Sequence, residues 1–317
     1  MRTWLSLLMC LVSVSVSAQM VTGIQVNIFG DGNPENGVED SREQVLGGRN
    51  KGLNLADQRM NAGTVRCDGK NRGTAMVVET SEFAVGLKGV VVASAAHVFY
   101  DLEKNRRFKR CEFHFLALGE LSGYRAKIDL SHIRMGDYDP ARATENVDFG
   151  EGDWAFVYIP KPWRNFNPLE SVKMREFSAL QLDSFHQSGG ELRLIAFDAS
   201  EGVISASRNC MVIESSHDDL GGGSWNGQLL DDCDSADGAS GGGIVAVISG
   251  QQYLVGIRNG SHWSEQTFPG SEYPRGPPDG SVWNRHTNTN FARSIDKLLI
   301  RELKMFTKDI EKQEKAF

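Results

Sequence analysis

Three observations predict an all-β fold class. Glycine is abundant, with 34 residues among 317, which suits a chain of many tight turns. The apolar residues fall in runs of about five to eight, rich in β-branched and aromatic side chains and bounded by turn residues, which is strand patterning. The runs also come in two series, so two all-β halves are expected. The first series is Thr74–Val78, Gly89–Ala96, Cys111–Leu118 and Trp154–Ile159. The second is Leu192–Phe197, Gly202–Ser207, Met211–Glu214, Gly243–Ile248 and Tyr253–Ile257, with the join near 160–180. Residues 262–288, with Pro269, Pro274, Pro277 and Pro278, read as loop. Beyond them Ile295, Leu298, Leu299, Leu303, Phe306 and Ile310 recur at helical spacing with Lys and Glu between, an amphipathic C-terminal helix packed on the body. No residue-level repeat relates the two halves.

The N-terminus carries an address. Arg2 precedes an apolar run from Trp4 to Val16, and Val16-Ser17-Ala18 supplies small residues for cleavage before Gln19. Residues 1–18 therefore read as a signal peptide, and the chain as secreted or periplasmic. Residues 19–60 are polar, Gly/Asn-rich and aperiodic, a leader or pro-segment. The remaining expected boundaries are 61–170 for the first β unit, 171–290 for the second and 291–317 for the helix. No long apolar stretch follows the signal, so no membrane span is expected in the mature chain.

Composition narrows the class further. Hydrophobic residues at 40% and charged residues at 24% fit a soluble globular protein. Lys+Arg 34 against Asp+Glu 41 gives a net charge of −7, leaving no overall basic excess to hold a phosphate backbone, so nucleic acid is excluded as a partner. Loss of Cys10 with the signal leaves Cys67, Cys111, Cys210 and Cys233. Four cysteines in an exported chain imply two disulfides with three possible connectivities. Cys67–Cys111 and Cys210–Cys233 are favoured because each stays within one half. A metal site is disfavoured by the absence of Cys-x-x-Cys spacing and by scattered His residues. The acidic pairs Asp218-Asp219 and Asp231-Asp232 read as solvated loop faces rather than calcium ligands.

Three segments carry chemistry. In Asp234-Ser-Ala-Asp-Gly238-Ala-Ser240-Gly-Gly-Gly243, glycines flank a serine and let the backbone turn sharply, bringing N–H groups toward a substrate oxygen. In Val91-Val-Ala-Ser-Ala-Ala-His97, a β run ends in small residues that leave room for an imidazole. In Gly152-Asp153-Trp154-Ala155, an acid heads an apolar strand. Singly, these are a glycine turn, a structural histidine and a turn cap. Together they stand in the order His, Asp, Ser, spaced 56 and 87 residues apart in an exported β-rich chain.

These elements resemble the trypsin/chymotrypsin family of serine proteases. Ser-Ala-Ala-His resembles the family's Thr-Ala-Ala-His, Gly-Asp-Trp-Ala its Asn-Asp-Ile-Ala, and Gly-Ala-Ser-Gly-Gly its Gly-Asp-Ser-Gly-Gly. The order sets it apart from α/β-hydrolases and subtilisins. Glu39-Asp-Ser-Arg-Glu43, Cys67 followed by Gly73-Thr-Ala75, Cys233-Asp234 and the C-terminal helix resemble the bacterial branch that includes the V8-like glutamyl endopeptidases. Ala239 stands where trypsin has an Asp that pairs with the new N-terminal amine, so that ion pair cannot form. Ala236 and Val98 replace trypsin cysteines, so the vertebrate disulfide pattern is absent.

The resemblance implies two six-stranded antiparallel β-barrels with a peptide-binding cleft between them and a C-terminal α-helix. It implies a serine endopeptidase in which Ser240 attacks the scissile carbonyl, His97 is the general base and acid, and Asp153 fixes the imidazole. The N–H groups of Gly238 and Ser240 would form the oxyanion hole. No metal or organic cofactor is required. The partners are a protein or peptide substrate, with a pro-segment or an inhibitor as further candidates. Asp234 lies where trypsin holds the acid of its specificity pocket, and Arg258-Asn259-Gly260 should form another pocket wall. A vacant Asp234 favours basic substrates, a free Arg258 acidic ones, and the reading leans to basic. Against the enzyme stand an inactive protease-fold binding or adhesion module and a secreted β-sandwich lectin.

Overall fold

A computed structural model describes residues 28–30, 40–46, 62–115, 125–140, 150–160, 171–215, 227–263, 267 and 280–316. The signal run with Cys10, the Pro-rich stretch 269–278, Asp148 and Asp218-Asp219 lie outside the described residues. The segment before residue 61 contributes β1 (Arg42–Leu46). Then come β2 (Ala62–Cys67), β3 (Lys70–Val78) and β4 (Val90–Ser94). A short pair, β5 (Tyr100–Asp101) and β6 (Arg106–Arg107), precedes β7 (Cys111–Phe115). The first unit closes with β8 (Arg125–Ile128), β9 (Ile133–Met135) and β10 (Ala155–Ile159). The second half holds β11 (Lys173–Met174), α1 (Ala179–Gln187), β12 (Glu191–Asp198), β13 (Val203–Ser207) and β14 (Val212–Glu214). It continues through β15 (Gln228–Asp231), β16 (Gly243–Ile248), β17 (Gln251–Trp263) and β18 (Asn288–Ser294) to α2 (Lys297–Ala316).

Two curled sheets result, as the alternation of apolar runs and turns predicts. One has seven strands in the order β8-β7-β2-β3-β4-β10-β9. The other has nine, in the order β1-β13-β12-β16-β17-β18-β15-β14, with β11 beside β17. Neighbours pair antiparallel except for β11 on β17. The expected count was six strands each. Two of the three additional strands in the second sheet have a physical origin: β1 pairs with β13 along the edge, and β11 adds a short parallel rung. A segment without periodicity therefore still builds sheet, because Ser207, Ala206 and Ser205 offer a paired edge to Arg42, Glu43 and Gln44.

The central strands β4 and β10 are buried along their whole length, which explains their unbroken apolar runs. One apolar cluster runs from β3, β4 and β10 into Ile195, Phe197, Val245, Leu254 and Ile257 of the second sheet and on to α2. The helix buries Leu299, Leu303, Phe306 and Ile310, each worth roughly 1.5–3 kcal/mol. It returns the end of the chain to the first sheet. Arg134 Nε donates to Glu302 Oε2 at 2.7 Å, and the Tyr158 hydroxyl donates to Glu314. The disulfides are Cys67–Cys111 and Cys210–Cys233, one in each unit. Their separations of 44 and 23 residues suggest roughly 3–4 kcal/mol apiece in the chain-entropy account.

Candidate active site

β4 ends at buried Ser94, buried Ala95 follows, and a short 3₁₀ turn, Ala96–Phe99, carries His97. The small residues let the imidazole sit against the loop ahead of β10. There Asp153 is fully buried. Its Oδ2 lies 2.7 Å from His97 Nδ1, and its Oδ1 accepts from the His97 backbone N–H at 2.9 Å. With both oxygens engaged by one residue, the carboxylate fixes the ring's position and places the Nδ1 proton between them. Tyr138 packs nearby, its ring centroid 6.2 Å from that of His97. Burial, with the Asp153 charge adding, raises the Tyr138 hydroxyl's pKa further above its ordinary value.

The serine comes from the other sheet. Gly238 and Gly241 have φ of +93° and +81°, the left-handed region that the sharp turn around Ser240 needs. A Cβ on Gly241 would stand 2.2 Å from both Ser94 Oγ and Thr74 O, so the two sheets can approach only over a glycine. Thr74 on β3 holds this loop to the first sheet. Its N–H donates to Ser240 O at 2.7 Å and its Oγ1 donates to Gly238 O at 2.8 Å, while Oγ1 accepts from Phe197 N at 2.9 Å. Engaging the Gly238 carbonyl and the Ser240 carbonyl fixes the intervening peptide planes. Among the described residues, no hydrogen bond takes up the N–H of Gly238 or of Ser240. His97, Gly238 and Ser240 line one cleft of about 440 Å³.

A second tie secures the acid. Arg293 of β18 is fully buried, and its Nε donates to Glu151 O at 2.9 Å, two residues before Asp153. Its other nitrogens reach Gly227 O at 3.1 Å, Ser294 O at 2.7 Å and Asp296 Oδ2 at 2.7 Å. Thr74 and Arg293 were not assigned roles from sequence. Gly73-Thr74 was marked only as a resemblance, and nothing local distinguishes Arg293 from a surface arginine. Among the described residues no group of three or more His, Cys, Asp or Glu is placed to hold a metal ion.

The pocket charges require correction. Asp234 is buried, and it is not vacant: Oδ1 accepts from Phe29 N at 2.7 Å and Oδ2 from Ser41 N at 2.6 Å. Both donors lie N-terminal to residue 61, and burial raises the carboxyl's pKa to about 6. Arg258 does not reach Asp234 either. It is fully buried, and its Nη2 lies 2.6 Å from Asp231 Oδ1. Burial pushes Asp231 above the usual carboxylate range, with the Arg258 charge opposing. Asn259 is the bulged residue of β17, its Oδ1 accepting from Arg293 N at 3.3 Å, and Gly260 pairs with Phe291. None of Asp234, Arg258, Asn259 or Gly260 lines the cleft that holds His97 and Ser240. The lean toward basic substrates thus loses its ground, because the oxygens it relied on are already bonded.

The chain was compared with known proteins. No family profile matches, and no curated protein does. Among solved structures, a Glu endopeptidase in complex with MPD superposes with a TM-score of 0.51 at 10% identity, over 88% of this chain and 99% of that one. The fold is that of the chymotrypsin-like serine proteases. A thermostable serine protease, AL20, from an extremophilic microorganism also aligns, with a TM-score of 0.49 at 11% identity over 80% of this chain and 99% of its own.

Proposed function

We propose that the chain is an exported serine endopeptidase working through Ser240, His97 and Asp153. The observation that carries this reading is the buried His97–Asp153 pair at 2.7 Å opening into the same cleft as Ser240. In the proposed cycle, His97 accepts the Ser240 proton through Nε2 as Oγ attacks the peptide carbonyl. Asp153 holds the tautomer and stabilises the imidazolium. The N–H groups of Gly238 and Ser240 receive the developing oxyanion, at about 3–4 kcal/mol per donor in comparable sites. The tetrahedral adduct then expels the amine, protonated by His97, and leaves an acyl-enzyme. Water attacks the ester with His97 again as base, releasing the acid and regenerating Ser240. The two disulfides and the apolar N-terminal run support export. Among the described residues no helix is long and apolar enough to cross a membrane.

The test is a proteome-derived peptide library digested with wild type and with Ser240→Ala. Wild type should cleave, and the variant should fall to background with its fold intact. With Asp234 and Arg258 both engaged internally, uncharged side chains should dominate the position before the cut. Equal cleavage by the variant would overturn the assignment of Ser240.

A further inference from the structure

One flank of the cleft is strongly cationic in a chain whose net charge is −7. Between Lys104 and Arg110, five of seven residues are Lys or Arg. The turn joining β2 to β3 stands beside this segment, because Asp68 N donates to Arg110 O at 3.0 Å and the Cys67–Cys111 disulfide closes the base of both. The hairpin adds Lys70 and Arg72. Lys70, Arg72 and Lys104 line the cleft with His97 and Ser240.

The local acids offset only part of this charge. Asp101 pairs with Lys104 at 2.9 Å, and Asp68 lies 3.9 Å from Arg110. Glu103 is exposed at the rim. Asp237 stands on the opposite wall, its carboxyl pushed up by burial and by Asp198. Lys70, Arg72 and Arg106 have no carboxylate at ion-pairing distance among the described residues. Arg72 is also held in place. Its guanidinium carbon lies 4.4 Å from the Phe108 ring centroid, and its buried Nε has no hydrogen-bond partner. Stacking on Phe108 holds the guanidinium at the cleft wall, which lowers the entropic cost of pairing its charge with a substrate carboxylate.

We infer that this flank is a substrate subsite for acidic residues, so that the enzyme selects polypeptides carrying an acidic run beside the scissile bond. The inference rests on the peptidase reading of the same cleft. An acidic substrate is otherwise repelled by a chain of net negative charge, and the flank supplies the local attraction that reverses this.

The experiment uses a neutral peptide frame cleaved by the full-length protein. Triglutamate is placed on one side of the cut or the other, each matched with triglutamine. One placement should raise kcat/KM about ten-fold at low salt, and the gain should shrink as salt screens it. Lys70→Glu should bring the acidic-to-neutral ratio down to within about two-fold of unity. Lys312→Glu, an equal charge change on the exposed face of α2, should leave the ratio unchanged. No advantage at either placement, or one that survives Lys70→Glu, overturns the subsite. Anisotropy of the labelled peptides on Ser240→Ala protein separates this from a failure of catalysis. If no peptide is cut, tighter binding of the acidic peptide that Lys70→Glu abolishes still supports the subsite, and equal binding overturns it. Binding of a sulfated polysaccharide with no preference among the peptides would likewise overturn it.

Discussion

Replacing Asp153 by Asn changes one oxygen to an NH₂ group in a site where both oxygens are used. Oδ1 must accept from the His97 N–H at 2.9 Å, and Oδ2 faces Nδ1 at 2.7 Å. The amide has one acceptor and two choices. With its carbonyl toward the backbone N–H, its NH₂ faces Nδ1. That nitrogen must then accept, the ring proton moves to Nε2, and His97 can no longer take a proton from Ser240. Flipping the amide restores the tautomer but points a donor at a buried N–H, costing about 1–3 kcal/mol. The carboxylate charge that stabilises the imidazolium is lost in both. The combined effect expected from the general behaviour of such triads is about 10⁴-fold in kcat, equivalent to about 5.4 kcal/mol. The assay is steady-state hydrolysis of a peptide amide, with urea unfolding run alongside to show a folded variant. A kcat within ten-fold of wild type would refute the argument. Collapse in Asp148→Asn instead would transfer the role to that acid.

Two further outcomes follow from the same geometry. Thr74→Val removes the donor to Gly238 O and the acceptor for Phe197 N, so it should cost about 2–4 kcal/mol in unfolding free energy and lower kcat more than it changes KM. Stability against pH should report in part Asp234, whose pKa of about 6 lies above its unfolded value near 3.8, beside Asp232, which burial pushes up to about 7. The folded state therefore holds this proton to higher pH. The stabilisation is complete below about 4 and is lost as pH rises through 6, a loss of roughly 3 kcal/mol. Asp234→Asn should lessen that slope, and an unchanged slope would assign the titration elsewhere.

What was legible in the sequence depended on how local the signal was. The sharp turn at Gly238 to Gly243, the small residues before His97 and the acid heading β10 are each written in a few adjacent residues. Their common cleft follows from the two-sheet fold. The disulfide pairing and the amphipathic stripe of α2 were readable for the same reason. Helix α1 falls in the stretch between the two strand series and carries its own local mark: Ser178 and Gln181 form a capping box, with Gln181 Oε1 accepting from Ser178 N at 2.9 Å. Other features had no local signature. Asp234 meets Phe29 across 205 positions, so nothing around Asp234 could show that Phe29 occupies it. Arg258 finds the buried Asp231 rather than Asp234, and Arg293 finds the Glu151 carbonyl in the turn ahead of β10. Charge type alone does not reveal which carboxylate or carbonyl an arginine will meet.

The central claim is that Ser240 is a nucleophile activated by His97 and Asp153. Treating folded protein with a fluorophosphonate and mapping the adduct by mass spectrometry tests it most directly. The account predicts a single phosphonylated residue, Ser240, with labelling strongly slowed in Asp153→Asn. A folded protein that stays unlabelled, or an adduct on any other residue, would contradict it.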